Sequence, residues 1–218
     1  MNDVDKSQEF ILGVEREIVE QFLVLIRDKY PVVDKANFFL EIHAGTSGSI
    51  IAMSNQRDFL SHFCTVLKNK KLKLEAKHAQ VSAAEEHFRR AVIECYQKTV
   101  EIKLNELLVL HDKYTKKVLP RKGNEIFKDA PDALTIREKL NKINRLRRVG
   151  RSSKSQNTWN DNWERGVESY LDALVEIEAL HTTFENYTTK ASRTNKGWMF
   201  GFFLSLLINI IFIYYLVK

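Results

Sequence analysis

Twenty consecutive uncharged residues, Trp198 to Val217, constrain this chain more than any other feature. As a helix rising about 1.5 Å per residue, the run spans roughly 30 Å, the thickness of a bilayer's hydrocarbon core. Trp198 at one end and Tyr214 and Tyr215 near the other are of the aromatic type that favours the headgroup level. The competing reading is a buried core helix, but such a helix in a small domain seldom carries large apolar groups on every face. The run is therefore expected to be a transmembrane helix. Within it, Gly197, Gly201, Ser205 and Asn209 recur at every fourth residue and share one face. Small residues at that spacing let two helices approach closely in lipid, and an amide can hydrogen-bond across the contact. The stripe reads as a helix–helix contact face.

Flanking charge sets the expected orientation. Lys190, Arg193 and Lys196 precede the run and Lys218 alone follows it, so the positive-inside rule places the preceding part in the cytoplasm. Met1 to Ser7 are polar and acidic and carry no signal-peptide core, so the same run is expected to serve as the targeting element. The layout predicted is single-pass and tail-anchored. With only 3 Pro and 8 Gly in 218 residues, the remainder favours long helices over a turn-rich β fold. The fold class expected is all-α: a long-helix bundle, coiled-coil-like, in the cytoplasm, with one C-terminal transmembrane helix.

Apolar periodicity locates the helices. Ile11, Val14, Ile18, Phe22 and Leu25 follow helical spacing from Asp5 to about Lys29, and Tyr30-Pro31 is expected to end that helix. Residues 32–54 fit either a short helix and a loop or a small hairpin, with Ser54 or Asn55 capping the next helix. A pattern through Phe59, Phe63 and Leu67 breaks at the basic run Lys68 to Lys73. Residues 72–118 contain neither Gly nor Pro and could form one helix of about 70 Å. Pro120, Gly123 and Pro131 mark a linker, followed by a helix to about Arg148 and a polar loop, Gly150 to Asn157. A last helix starts near Asp161, with Val167, Leu171, Leu174, Ile177, His181 and Phe184 at packing positions. The segments expected are 1–119, an N-terminal helical domain; 120–157, linker and basic helix; 158–196, a membrane-proximal helix; and 197–218, the anchor. Cys64 and Cys95 lack a CxxC partner, fall on apolar helical positions, and read as reduced core residues.

Four motifs bear on chemistry. Arg57-Asp58-Phe59-Leu60-Ser61-His62 resembles the signature of HEPN-type ribonucleases, small helical domains that usually pair. The resemblance implies His62 as general acid or base and Arg57 as the group that stabilises phosphoryl charge, in a site assembled across a dimer. The plain alternative is an exposed arginine and a partly buried histidine. His111-Asp112 resembles the metal-binding doublet of HD-type phosphohydrolases, but no spacing selects a further His and Asp, and Lys113-Tyr114 replaces the small residues of that family. Gly45 to Ser49 lacks the Gly-Lys-Ser/Thr of a phosphate-binding loop and reads as a plain loop. Lastly, Arg137, Lys139, Lys142, Arg145, Arg147, Arg148, Arg151 and Lys154 crowd one stretch with Glu138 alone against them, beside a seam of Ile136, Leu140, Ile143 and Val149. Such a helix suits anionic lipid or an acidic partner, and less well a nucleic acid; a solvated face is the alternative. Trp159 and Trp163 are expected to anchor the last soluble helix onto a core.

Taken together, these features predict a helical membrane protein that acts by self-association and protein contact. It would be a scaffold, or by analogy a membrane-acting effector of the kind found in some bacterial antiviral systems. No cofactor or metal is expected. The enzyme alternative is a membrane-tethered ribonuclease using Arg57 and His62.

Overall fold

A computed structural model describes the backbone of residues 3–45, 50–69, 71–153 and 162–217, and the side chains of 16–45, 50, 53–69, 71–153, 163–194, 197 and 199–208. Among the described residues there are five helices: α1 (Asp3–Ala44), α2 (Ile50–Lys68), α3 (Leu74–Lys117), α4 (Ala133–Ser152) and α5 (Asn162–Val217). Two short 3-10 turns, Leu119–Arg121 and Glu125–Phe127, join α3 to α4. Among the described residues there is no strand, which agrees with the all-α expectation.

The first helix corrects the sequence reading, because it runs through Pro31 to Ala44. The reason lies in its buried stripe. Ile18, Phe22, Leu25, Val33, Ala36 and Leu40 are buried, and half-buried Lys29 bridges Leu25 and Val33 at the same spacing. Pro31 falls on the exposed side. A proline inside a helix costs about 3 kcal/mol. Burying Val33 and Leu40 beyond it contributes roughly 1.5–3 kcal/mol each, enough to carry the helix past the break. Gly45 then ends it with φ of 63°, its N–H donating to the Glu41 carbonyl at 3.0 Å. Only glycine adopts that left-handed geometry without strain. The hairpin option for 32–54 is therefore excluded over residues 32–45, and Ser54 and Asn55 lie inside α2 rather than at its cap. The side chains of Ile11 and Val14 and the stretch 46–49 lie outside the described residues.

Two compact units divide the chain, and each draws on segments distant in sequence. The first comprises Met1–Lys103 with Asn144–Leu174, the second Leu104–Ile143 with Val175–Lys218.

In the first unit α1, α2 and α3 share an aromatic core. Phe22 meets Phe59 at 5.6 Å and Phe63 at 4.9 Å between ring centres, and Phe59 meets Phe88 at 4.7 Å. Trp163 and Val167 pack against this cluster, as expected for Trp163; Trp159 lies outside the described residues. Cys95 is buried in the core, whereas Cys64 is exposed, contrary to the sequence reading. One residue past Phe63, it is turned about 100° off the stripe that Phe59, Phe63 and Val66 present. Gly150 and Gly166 mark a close approach of α4 and α5. A Cβ on Gly150 would lie 2.7 Å from the Tyr170 ring, and one on Gly166 would lie 1.9 Å from Ser153 Oγ. Gly150, Arg151 and Ser152 are helical, so the expected loop does not begin at Gly150; residues 154–161 lie outside the description.

In the second unit Tyr114 of α3 packs against Phe184 and Tyr187 of α5, at 4.7 and 6.3 Å. The expected linker is an ordered strap. Its Phe127 is fully buried beside Tyr187. The Tyr114 hydroxyl donates to the Pro131 carbonyl at 2.7 Å, Arg121 to Ala191 O at 3.3 Å, and Lys190 to Ile126 O at 3.0 Å. Proline and glycine end the helix here, but buried Phe127 and these carbonyl contacts hold the turn in place. Asp132 caps α4 by accepting from the Thr135 N–H at 2.8 Å, and that bond with nearby Lys122 holds its carboxyl down at about 2.

Beyond Ala191 the one-sided pattern of α5 stops. Met199, Phe200, Phe202, Phe203, Leu204, Leu206, Leu207 and Ile208 are 47–71% exposed, on every side of the helix. Among the described residues no helix is long and apolar enough to cross a membrane. Residues 209–217, the remainder of the apolar run, continue the helix, but their side chains, Asn209 among them, lie outside the description.

Candidate functional site

The chemistry-bearing side chains of the first unit gather where α2 faces α3. His62 Nδ1 lies 2.7 Å from Gln80 Oε1, and His62 Nε2 lies 3.2 Å from His87 Nε2. His87 Nδ1 is 3.4 Å from Asn55 Oδ1 and 4.0 Å from Asp58 Oδ2, and the Asn55 amide donates to Glu94 at 3.4 Å. Two imidazole nitrogens at this separation share one proton: one ring donates N–H and the other accepts. With His87 Nδ1–H donating to Asn55 Oδ1, His87 Nε2 accepts from His62 Nε2–H, and His62 Nδ1 accepts from the Gln80 amide turned to present its N–H. Burial holds the His87 imidazole below the ordinary histidine value; facing His62 and Arg90 act in the same direction, and Asp58 and Glu86 oppose them.

Arg57 and His62 are placed differently from a ribonuclease pair. Arg57 points to solvent, 77% exposed, and its guanidinium is bonded to the adjacent Asp58 at 3.0 Å. His62 turns toward α3 and engages a neighbour through each ring nitrogen. The link between the two residues runs through Asp58 and His87. Sequence reasoning missed the partners His87, Gln80 and Asn55, because they come from 7 to 25 residues away and belong to no local motif.

The other motifs separate. Asp112 is ion-paired at the surface with Lys116 at 2.7 Å, while the His111 ring lies 5.6 Å from Phe184. Among the described residues no group of three or more His, Cys, Asp or Glu side chains is arranged to hold a metal ion.

On α4, burial of Ile136 and Ile143 turns the opposite side outward. Arg137, Arg145, Arg148 and Arg151 are exposed there, together with Leu134 and Val149, so Val149 joins the charged side rather than the expected seam. Lys142 is paired with Glu176 at 2.6 Å, and Lys139 and Arg147 sit half-buried at the flanks. Among the described residues Arg137, Arg145 and Arg148 form no ion pair. Lys154 lies outside the description. On α5, Gly197, Gly201 and Ser205 line one shallow groove with Thr194 and Phe202, so the small stripe is a physical face of the helix.

Comparison with protein-family models, with curated proteins and with solved structures finds no match.

Proposed function

We propose that the chain is a membrane-anchored helical protein that acts by self-association and protein contact. The observation that carries this reading is the sheath of eight large apolar side chains on α5 between Met199 and Ile208, exposed on all sides. Covering a large apolar side chain contributes roughly 1.5–3 kcal/mol, so partial cover of eight is worth on the order of 10 kcal/mol. A one-sided protein groove cannot cover all faces of a helix; lipid can. The uncharged sequence continues to Val217 on the same helix. Lys190 and Arg193 just before the sheath favour a cytoplasmic location for the preceding residues. The Gly197, Gly201, Ser205 groove, extended in sequence by Asn209, is the face proposed for contact with a second copy. The exposed arginines of α4 are proposed to meet anionic lipid or an acidic partner. Assembly would then gather membrane helices, as a scaffold or a membrane-acting effector does.

The ribonuclease alternative receives less support from the geometry. Its proposed general base uses both ring nitrogens within the protein, and its proposed phosphate-binding arginine is held by Asp58.

Fractionation tests the anchor. The full chain should remain in the membrane pellet through an alkaline carbonate wash. Leu204→Arg with Leu207→Arg should release it, each arginine costing about 2.5–3.5 kcal/mol near the helix centre. A wild-type chain found in the soluble fraction would refute the anchor. Gly201→Leu with Ser205→Leu should reduce oligomer size in detergent, and an unchanged size would remove the contact-face assignment.

A further inference from the structure

We infer that the second unit binds the phosphate of an anionic phospholipid headgroup, in the cleft between the last turns of α3 and residues 185–193 of α5. The cleft measures about 510 Å³. Lys113 and Lys117 on α3 frame one side, and Glu185, Thr189, Ser192 and Arg193 on α5 frame the other. Tyr114 packed on Phe184 and Tyr187 fixes the spacing of the two helices below it. The small hydroxyl residues of α5 leave room where larger ones would close the gap.

The state of the cations supports this place. Four other positive groups of the same unit are engaged: Lys116 with Asp112, Lys122 with Asp132, Arg121 with the Ala191 carbonyl, Lys190 with the Ile126 carbonyl. Among the described residues Lys113, Lys117 and Arg193 form no ion pair, and all three converge on the one cleft. A lysine in the last turn of a helix also offsets the helix dipole, which accounts for Lys117 but not for Lys113 or Arg193. Glu185, the single carboxylate on the wall, lies eight residues before Arg193, about 12 Å down the helix. Arg193 therefore stands clear of that carboxylate, at the opposite end of the wall.

Depth identifies the ligand. This step rests on the membrane reading of α5. Arg193 precedes Trp198 by five residues, about 7.5 Å along the axis. The headgroup layer on each side of a bilayer is roughly 5–7 Å thick. The Arg193 end of the cleft thus lies at the level of lipid phosphates, with the apolar sheath of α5 starting just beyond it to receive acyl chains. A lipid satisfies both parts; a free phosphate satisfies only one.

The test uses the purified full chain, reconstituted in phosphatidylcholine vesicles with and without phosphatidylglycerol, and native mass spectrometry of lipids retained in detergent. Wild type should retain phosphatidylglycerol over phosphatidylcholine by about ten-fold. Lys113→Gln/Lys117→Gln/Arg193→Gln should lose that preference while keeping its helical circular dichroism, and Arg16→Gln/Arg27→Gln on α1 should keep it. No preference in wild type, or loss in the α1 variant and not in the cleft variant, overturns the site. Glycerol phosphate that competes as strongly as the lipid would make it a soluble-phosphate site and overturn the lipid assignment. A chain that inserts into neither vesicle refutes the membrane reading itself, whereas one that inserts equally in both and retains neither lipid refutes only the headgroup site.

Discussion

Gly166→Ala exposes the packing logic of the first unit, because two effects of opposite sign meet there. In an open helix, replacing glycine by alanine stabilises by about 1 kcal/mol. At Gly166 the new Cβ would lie 1.9 Å from Ser153 Oγ and 2.7 Å from Ser153 Cβ. Carbon atoms in contact prefer about 3.5–4.0 Å, so Ser153 must retreat by about 1 Å. Ser153 is only 6% exposed and its hydroxyl donates to the Gly150 carbonyl at 2.6 Å, so it cannot simply rotate into solvent. Overpacking of this kind costs about 1–3 kcal/mol, and loss of the hydrogen bond about 1 kcal/mol more. The expected net loss is about 1–3 kcal/mol. In a Ser153→Gly background the obstruction is gone, and the same Gly166→Ala change should be neutral or stabilise by up to about 1 kcal/mol. Ser153→Ala leaves the Cβ in place and should give only partial relief. Urea unfolding of the full chain in mild detergent measures this, with Trp163 fluorescence reporting on the core it packs against. If Gly166→Ala is equally destabilising in both backgrounds, the two residues are not coupled and the close approach is not what demands glycine.

The histidine pair predicts acid sensitivity. His87 has a lowered folded value, so the unfolded chain takes up its proton first as pH falls below the ordinary histidine range near 6.5. Stability present at pH 7.5 should decline by pH 5.5 in wild type and decline less in His87→Gln; equal slopes would show that the pair does not titrate as placed. The cysteines differ in reactivity. Exposed Cys64 should react with a thiol reagent in the native chain, whereas Cys95 is buried with its thiol pushed up to about 11 and should react only on unfolding. Two fast thiols in the native state would contradict this placement.

Local pattern made the long uninterrupted helices legible. The Gly- and Pro-free stretch before Pro120 is helix α3, Leu74–Lys117, and the basic run before it is the break. The apolar spacing of Leu174, Ile177 and Phe184 on α5 is a buried stripe, though Leu171 within the expected set is exposed. Pattern misled where a strong local signal opposed distant burial. Pro31 signals a stop, yet the buried stripe continues beyond it. Pro120 and Gly123 signal a linker, yet Phe127 and the carbonyls of Ile126 and Pro131 are held by α3 and α5. Of the candidate site residues, Arg57 and His62 were visible as a motif, but their partners were not.

Periodicity and composition by themselves determined that the chain is helical, which side of each long helix is apolar, and that one long apolar run carries no charge. These follow from the 3.6-residue repeat and from the cost of exposing apolar surface, which act on neighbours along the chain. Only the tertiary structure decided which faces meet: His62 with His87, Gly166 with Ser153, Tyr114 with Phe184. Each of those pairs depends on close packing between helices remote in sequence, where shape and hydrogen bonding across the contact select the partner and no local repeat records it.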